Sequence, residues 1–407
     1  MKAPRPQYSG ARFGRRPAPA PGREQKLAAW LRELAQSVER GQRPDLELSR
    51  LLRRDQPEPA LRRRLVAASA AWFRWSSWLG AAADPLRDLA RATRLEELAG
   101  GEDGPEAALR ELEATAGEAL SAAAHLPGWL RAGLPAGLDA EGLARAFLRP
   151  PSLWLRAVAE EQLREGLGDL AAGLEAHARL AGAWRLRTRE DLYDTPGFRQ
   201  GHFVLQDPAS QAIGAVCQAQ PGEHWLDLCA GAGGKSLQLA AAMAGKGLVH
   251  AFDIHLGRLE ELKRRARRQG VFNLQTRAWD GHVLPALPRL DGVLVDAPCT
   301  NSGTLRRNPD LWRRRAPDLA GLAELQDSLL DQGARQLRPG GRLVYATCSV
   351  LEVENEARVA AFLARQPGFR PLDFENPLDG RPAPGRLRVS PLDGDQDGTF
   401  MAIFRKE

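Results

Sequence analysis

Apolar residues in the first third of the chain recur with helical spacing. After prolines at positions 57 and 59, one helix is expected to carry these apolar side chains on a single face: Leu61, Leu65, Trp72, Trp75 and Leu79. Glycines and a proline at 100–105 interrupt the pattern, and a further helix rich in Ala, Leu and Glu follows. We predict an all-α domain over residues 24–126, with the tryptophans in its core rather than on a base-stacking surface.

The pattern changes near residue 127. An apolar run at 153–158 is typical of a short strand, and a helix is expected through Leu163, Leu167 and Leu170. These features predict a small α+β module over residues 127–205. Beyond it, strand-like apolar runs alternate with amphipathic helices, which is the pattern of a doubly wound, mostly parallel sheet. We therefore predict an α/β, Rossmann-like domain over residues 206–407.

Five strands of that sheet are predicted, at 224–228, 248–252, 273–279, 292–295 and 342–346. The first leads into a glycine turn that opens a helix, so that the backbone can approach a ligand. The candidate cofactor-binding residues of this turn are Cys229, Ala230, Gly231, Ala232, Gly233, Gly234 and Lys235. The second strand ends at Asp253, placed for a ribose diol, and the third at Asp280, placed for an adenine amino group. Helix capping explains any one of these acids alone, whereas acids at three consecutive strand ends, with Asp227 on the first, favour a nucleoside cofactor.

The fourth and fifth strands end in cysteine motifs. The fourth runs into Asp296-Ala297-Pro298-Cys299, and the fifth into Thr347-Cys348-Ser349. Ligands of an open parallel sheet bind outside the carboxyl ends of its strands, so both thiols are expected to face the cleft of the glycine turn. The spacing leaves open which of the two is a nucleophile.

Composition narrows the alternatives. With 57 Lys+Arg against 51 Asp+Glu, the formal charge of +6 favours a polyanionic partner only weakly. Four dispersed cysteines and seven scattered histidines show no metal-ligand spacing, so we expect no metal. No long apolar run or secretory leader is present, so we expect a cytoplasmic protein without a membrane span. We also expect a monomer. Residues 1–23 contain six basic residues and no acid, which predicts a disordered basic tail.

Two features of the basic residues bear on the cleft. Only six of the 57 basic residues are lysine, so Lys235, directly after two glycines, indicates that a compact ammonium is required there. Arg306 and Arg307 follow the Pro-Cys motif closely and are the candidate RNA phosphate contacts. The basic run at 263–268 is expected to be a solvated helix face.

The motifs DLCAGAGGK, DAPCTNSG with RRNPD, and YATCS together resemble the Sun-type (RsmB-like) RNA cytosine-C5 methyltransferases. The segment 201–211 resembles the stretch ahead of their cofactor domain. Residues 1–126 resemble the family's NusB-like, RNA-binding helical domain in length and helicity, and the α+β module is expected to be RRM-like. The turn reads Ala-Gly-Ala-Gly-Gly where many bacterial members have Ala-Ala-Pro-Gly-Gly, a change that glycine tolerates.

The resemblance implies S-adenosylmethionine as cofactor and a single-stranded or looped cytosine in RNA, most simply 16S ribosomal RNA, as substrate. It assigns Cys348 as the thiolate that adds to C6 of cytosine, Cys299 as the thiol that helps to release the product, and Asp296 to the base and its proton. Lys235 is the other polar group of the cleft. The alternatives are a tRNA cytosine-C5 methyltransferase and an RNA-binding ribosome-assembly factor with secondary or lost methylation. Methylation of an exocyclic amine is disfavoured, because that chemistry uses a polar-Pro-Pro-aromatic motif in place of Asp-Ala-Pro-Cys.

Overall fold

A computed structural model of the chain describes residues 23–40, 42, 44–79, 85–188, 190–285 and 287–407. The predicted basic tail lies outside these residues, except for Arg23, which begins the first helix. No helix in the described ranges combines the length and apolarity that a membrane crossing needs.

The N-terminal part of the chain is helical. Its helices are α1 (Arg23–Glu39), α2 (Pro44–Asp55), α3 (Pro59–Trp75), α4 (Pro85–Ala99), α5 (Pro105–Ala116), α6 (Gly128–Gly133) and α7 (Ala140–Leu148). Proline occupies the first turn of α3, where its missing N–H leaves no hydrogen bond unmade. Trp75 at the end of α3 is fully buried, so the prediction of a core tryptophan is confirmed.

The helical part extends beyond the predicted boundary at residue 126. Leu130 of α6 and Phe147 of α7 are fully buried in the same apolar core as Trp75. This core also takes in Leu305 and Leu351 from the loops that follow the two cysteine motifs. The helices therefore pack directly against the segments that carry the thiols.

The small module begins at residue 153 and is built on an antiparallel sheet. Its elements are β1 (Leu153–Arg156), α8 (Glu160–Leu167), β2 (Leu174–Ala176), β3 (Ala183–Leu186), α9 (Pro196–Gln200) and β4 (Val204–Leu205), with strand order β2-β3-β1-β4. The predicted strand at 153–158 stops at Arg156, and Val158 is exposed. The predicted helix ends at Leu167, and a 3₁₀ turn carries the chain through Leu170.

The C-terminal part is a doubly wound α/β sheet. Its helices are α10 (Pro208–Val216), α11 (Gly234–Ala242), α12 (Leu256–Arg268), α13 (Leu319–Gln336) and α14 (Glu356–Arg365). Its parallel strands are β5 (His224–Asp227), β6 (Leu248–Asp253), β7 (Leu274–Ala278), β8 (Leu290–Asp296) and β9 (Leu337–Thr347). All five predicted strands are thus confirmed.

Short antiparallel strands complete the structure: β10 (Phe369–Pro371), β11 (Phe374–Glu375), β12 (Pro382–Ala383), β13 (Arg386–Val389) and β14 (Thr399–Lys406). The main sheet has the order β10-β14-β9-β8-β5-β6-β7, with β13 also paired to β14. Strand order reverses beside β5, so the carboxyl ends of β5 and β8 open the crevice in which sheets of this type bind ligands.

Candidate active site

A cleft of about 530 Å³ lies at the carboxyl ends of the parallel strands. This volume is in the usual range for a small-molecule site. Ten of the predicted site residues line it: Cys229, Ala230, Gly231, Ala232, Gly234, Lys235, Asp253, Asp296, Cys299 and Cys348. The strand ends therefore bring the glycine turn and both thiols to one cavity.

The turn after β5 is fixed to the end of β6. Gly231 adopts a φ of +55°, and its N–H donates to Asp253 Oδ2 at 2.8 Å. The other carboxylate oxygen accepts the N–H of His255 at 2.7 Å. Each oxygen keeps a second lone pair, so the oriented carboxylate can still accept hydrogen bonds from a ribose diol.

Two predicted cofactor residues stand apart from the cleft wall. Gly233 has a φ of +87°, and a Cβ there would meet the Leu262 side chain at 2.4 Å, so this glycine is needed to pack α11 against α12. The Asp280 carboxylate accepts the N–H groups of His282 and Val283 at 2.8 and 3.0 Å. Its neighbours Trp279 and Gly281 line the cleft. A contact from Asp280 to an adenine amino group stays a prediction.

Lys235 and Asp296 form an ion pair on the cleft wall. Lys235 Nζ donates to Asp296 Oδ2 at 2.7 Å, and the two side chains are only 14% and 29% exposed. Burial lowers the pKa of Lys235, but the Asp296 carboxylate and the nearby Cys348 sulfur outweigh it and raise the pKa overall. The ammonium is therefore held charged beside Asp296 and Cys348.

The two cysteine motifs bring their sulfurs into contact. The Sγ atoms of Cys299 and Cys348 lie 3.3 Å apart, and both residues are free thiols. The hydrogen bond with Cys348 and burial raise the pKa of Cys299 well above its usual range. Burial, with Asp227 close by, likewise raises the pKa of Cys229. Cys299 and Cys229 are therefore held as neutral thiols.

A buried polar network holds the two cysteine loops together. The fully buried Glu354 accepts the Thr300 N–H at 2.9 Å and the Thr300 hydroxyl at 2.6 Å. Ser302 and Ser349, one from each loop, have their hydroxyls 2.9 Å apart. These contacts set the spacing of the sulfurs, and the periodicity of the sequence gives no sign of them.

The sequence did not single out Asn301, and it used Asp227 only as one of three acids at strand ends. Asn301 lines the cleft, and its Oδ1 lies 3.0 Å from Cys348 Sγ. Asp227, at the end of β5, is buried and accepts the Ser236 hydroxyl at 2.6 Å, which ties the strand to α11. Burial raises the pKa of Asp227 to about 7. The signal that was available for Asn301 is its place inside the Pro-Cys turn.

The prediction that Arg306 contacts RNA phosphate is wrong in this structure. Its side chain is 2% exposed and pairs with Asp395. It also donates to the carbonyl oxygens of Arg149 at 3.1 Å and Gln396 at 3.3 Å. The guanidinium thus holds the Pro-Cys loop against two other segments and has no free surface for a phosphate.

Arg307 is more accessible but is already paired. Its guanidinium donates to Asp207 at 2.8 Å and to Asp397 at 2.9 Å, with the side chain 36% exposed. Two carboxylates neutralise its charge, which weakens any attraction to phosphate. A contact between Arg307 and RNA stays a prediction.

The cleft residues fit S-adenosylmethionine. The Asp253 carboxylate is oriented for the ribose, and Ile254 beside it is 58% exposed and offers apolar surface to an adenine ring. The backbone at Gly231 is open, since a Cβ there would meet no atom within 4 Å. Asp253, Ile254 and the turn at Gly231 would therefore hold the nucleoside part of the cofactor.

Comparison with known proteins gives consistent results. Residues 215–405 match the family described as 16S rRNA methyltransferase RsmB/F. The chain is 38% identical over 292 residues to ribosomal RNA small subunit methyltransferase B of Salmonella arizonae, covering 69% of this chain and 66% of that protein. It is 33% identical over 283 residues to the probable ribosomal RNA small subunit methyltransferase B of Synechocystis, covering 66% and 63%. The chain thus spans slightly less than two thirds of these relatives.

Solved structures share the architecture. The crystal structure of PH0851 superposes with a TM-score of 0.70 at 25% identity, covering 95% of this chain and 99% of that one. A methyltransferase homolog protein from Pyrococcus horikoshii superposes with a TM-score of 0.56 at 27% identity, covering 68% and 92%. The first likeness extends over nearly all of the chain, including the helical part.

Proposed function

We propose that this chain, which belongs to the 16S rRNA methyltransferase RsmB/F family through residues 215–405, transfers a methyl group from S-adenosylmethionine to C5 of a cytosine in RNA. The observation that carries the proposal is the 3.3 Å contact between the Cys299 and Cys348 sulfurs in the cleft that also holds Lys235 and Asp296. Transfer to an exocyclic amine or a ribose hydroxyl has no use for two thiols in contact. C5 of cytosine, by contrast, is a poor nucleophile until a thiolate adds at C6.

In the proposed reaction, the thiolate of Cys348 adds to C6 of the base, and the electron pair of the C5–C6 bond makes C5 nucleophilic. S-adenosylmethionine supplies the methyl group when it is bound in the cleft. Loss of the C5 proton then lets the C6–S bond break, and its electron pair returns to sulfur. Covalent activation thus divides one difficult substitution into easier steps.

The choice of Cys348 as nucleophile is supported by the surroundings of the two sulfurs. The Lys235 ammonium interacts favourably with Cys348, whereas Cys348 and burial together raise the pKa of Cys299 well above its usual range. We therefore assign the attack to Cys348, which the Lys235 ammonium favours, and place Cys299 as the thiol 3.3 Å from it. Cys299 is placed to assist release of the product.

Asp296 and Lys235 are proposed to hold and polarise the base. The Asp296 side chain is 29% exposed in the cleft, and the hydrogen bond from Lys235 uses only one of its oxygens. The remaining lone pairs can accept from the cytosine amino group. Lys235 orients the Asp296 carboxylate through their 2.7 Å hydrogen bond and stabilises negative charge that develops near the sulfur.

The proposed substrate is 16S ribosomal RNA with the target cytosine unpaired. The relatives named for small-subunit ribosomal RNA support this choice. A cytosine within a duplex must be unstacked before a thiol reaches C6, so a looped or single-stranded position, or RNA before full assembly, is expected.

Bisulfite sequencing of total RNA tests the proposal. Cells that lack the gene are compared with cells complemented by the wild type or by Cys348→Ala. We expect one 16S rRNA cytosine to lose protection in the deletion strain and to regain it only with the wild type. A cytosine in tRNA that behaves in this way would identify tRNA as the substrate instead. Unchanged protection together with a ribosome-assembly defect that Cys348→Ala rescues would favour a binding role.

A further inference from the structure

Among the described cleft residues, Asn301 is the one whose side-chain amide contacts both sulfurs. Its Oδ1 is 3.0 Å from Cys348 Sγ and 3.7 Å from Cys299 Sγ. The backbone N–H of Asn301 also interacts with Cys299 and partly offsets the rise in the pKa of that thiol. The amide is thus closest to the sulfur proposed to attack.

The backbone at Asn301 is built to hold this position. Its φ of 60° and ψ of 21° lie in the left-handed region, which asparagine tolerates better than most residues. The Thr304 N–H donates to the Asn301 carbonyl at 2.9 Å, and the Gly303 N–H donates to the Cys348 carbonyl at 2.9 Å. A Cβ at Gly303 would meet the Gly398 carbonyl oxygen at 1.9 Å, so the turn cannot relax outward. The fold therefore aims the amide at the sulfurs from a fixed turn.

We propose that Asn301 is a catalytic residue whose side-chain amide reorients with the protonation state of Cys348. Its Oδ1 accepts a hydrogen bond from the thiol, and its Nδ2 donates one to the thiolate. A primary amide carries an acceptor and two donors on one planar group, so a half-turn about its last torsion exchanges them. The thiol proton leaves to solvent through the open cleft, and Asn301 itself neither gains nor loses a proton. Cys348 can thus ionise without losing its hydrogen-bond partner.

This role stabilises the thiolate selectively. A hydrogen bond in which one partner is charged is about twice as strong as one between neutral groups. The Asn301 amide is 3.0 Å from the Cys348 sulfur and 3.7 Å from the Cys299 sulfur, so the stronger hydrogen bond stabilises the thiolate of Cys348. The part of Asn301 in methyl transfer rests on the proposed function, but its effect on the thiol does not require RNA.

The charged and titratable groups around the sulfurs are few and come from separate elements. Lys235 of α11 interacts with Cys348, while Glu354, after β9, and Tyr345 of β9 interact with Cys299. Asp296 at the end of β8 is paired with Lys235. None of these groups is altered by replacing Asn301, so a changed response of Cys348 reports on the amide.

The test is the pH dependence of alkylation of Cys348 by iodoacetamide in the full chain, read by mass spectrometry of tryptic peptides. Cys299 and Cys348 fall in different peptides, because Arg306 and Arg342 lie between them. The variants are Asn301→Asp, which can only accept, and Asn301→Gly, which takes the left-handed turn without strain. Asn308→Asp is the matched control, since Asn308 is exposed and its side chain bonds only to Thr304 among the described contacts.

We expect Asn301→Asp to move the alkylation midpoint of Cys348 upward by about one pH unit or more, which is roughly a tenfold slower reaction at neutral pH. Asn301→Gly shifts it in the same direction by less, and Asn308→Asp leaves it unchanged. Coincident profiles for the wild type and Asn301→Gly, with unfolding temperatures equal, would overturn the proposal. If Asn301→Asp does not fold, the glycine variant still decides the question.

A second measurement separates this inference from the proposed function. With 16S rRNA as substrate, Asn301→Gly should slow methyl transfer more at pH 7 than at pH 9, because excess hydroxide restores the thiolate. If the wild type transfers no methyl group while the alkylation profiles differ, the proposed function fails and the link between Asn301 and Cys348 stands. If methyl transfer proceeds and the loss in Asn301→Gly is the same at both pH values, the catalytic role of Asn301 is refuted.

Discussion

Lys235 and Asp296 meet across the cleft with Nζ and Oδ2 at 2.7 Å, from the first turn of α11 and the last residue of β8. α11 begins and β8 ends at the carboxyl edge of the sheet, so the two groups meet there. Because the pair is mostly shielded from water, its electrostatic interaction is stronger than that of a surface pair. It joins the cofactor turn to the Pro-Cys loop.

We predict that Asp296→Asn lowers the rate of methyl transfer about 100-fold or more, since positioned acid–base groups contribute about that much. Lys235→Met should have a similar effect, because it leaves the Asp296 charge unpaired. Transfer of a labelled methyl group to RNA measures both rates. Lys263→Met is the control, since that lysine pairs with Glu260 on the exposed face of α12. Near-wild-type rates in Asp296→Asn would contradict the role given to the pair.

Cys299→Ala is expected to accumulate RNA covalently joined to the protein, because Cys348 can still attack while release is impaired. Cys348→Ala should give no adduct and no methylated product. Labelled RNA that migrates with the protein on a denaturing gel measures the adduct. An adduct found only in Cys348→Ala would show that the roles of the two thiols are reversed.

Asp253→Ala should weaken binding of S-adenosylmethionine about 10- to 100-fold. The change removes hydrogen-bond acceptors for the ribose and leaves the Gly231 N–H without its 2.8 Å partner. Calorimetric titration measures the dissociation constant. Asp280→Asn, measured in parallel, decides whether the third strand contributes to adenine binding, since equal affinity to the wild type would end that prediction.

Arg306→Ala is predicted to destabilise the fold by about 3 kcal/mol, because it leaves Asp395 with the longer pair to Arg185 and removes the bonds to three carbonyl groups. Denaturant unfolding measures the change. Arg264→Ala, on the exposed face of α12, should stay within about 0.5 kcal/mol of the wild type. A stable Arg306→Ala protein with weakened RNA binding would restore the phosphate-contact hypothesis.

Asp227 predicts a pH dependence of stability with a definite sign. Burial raises its folded-state pKa to about 7, above the ordinary value of 3.8, so the protonated form is favoured by folding. Its stabilising contribution is complete below about pH 4 and is lost as the pH rises through about 7. Asp227→Asn should therefore match the wild type near pH 4 and exceed it at pH 8, by at most about 4 kcal/mol. Unfolding curves at both pH values check this, and equal differences at pH 4 and pH 8 would contradict it.

The sequence predicted best what depends on continuous apolar runs. Strands β5, β6 and β8 and the second half of β9 are largely buried, so their apolar residues stand out and their ends locate Lys235, Asp253 and both thiols. The strands of two to four residues near the C-terminus are too short to show a period. The helical boundary was misplaced because burial of Phe147 depends on partners far along the chain.

The errors at the site have a common physical origin. Arg306 follows a cysteine motif in sequence, but its partner Asp395 lies in a segment near the C-terminus, and no local pattern reveals such an ion pair. Asn301 went unnoticed because its importance comes from a left-handed backbone and from a sulfur on another strand. The role of Arg306 depends on a long-range ion pair, and that of Asn301 depends on its backbone conformation and on a residue of another strand.

The apolar core shared by the N-terminal helices and the loops after the cysteine motifs limits how such a protein can be recombined. A chimaera that joined the first 150 residues of this chain to the remainder of a relative would pack Trp75 and Phe147 against that relative's residues in place of Leu305 and Leu351. Crossovers are tolerated only where both sides of this contact are inherited together. The helical part and the thiol loops must therefore come from the same parent sequence, although more than 150 residues of chain separate Phe147 from Leu305.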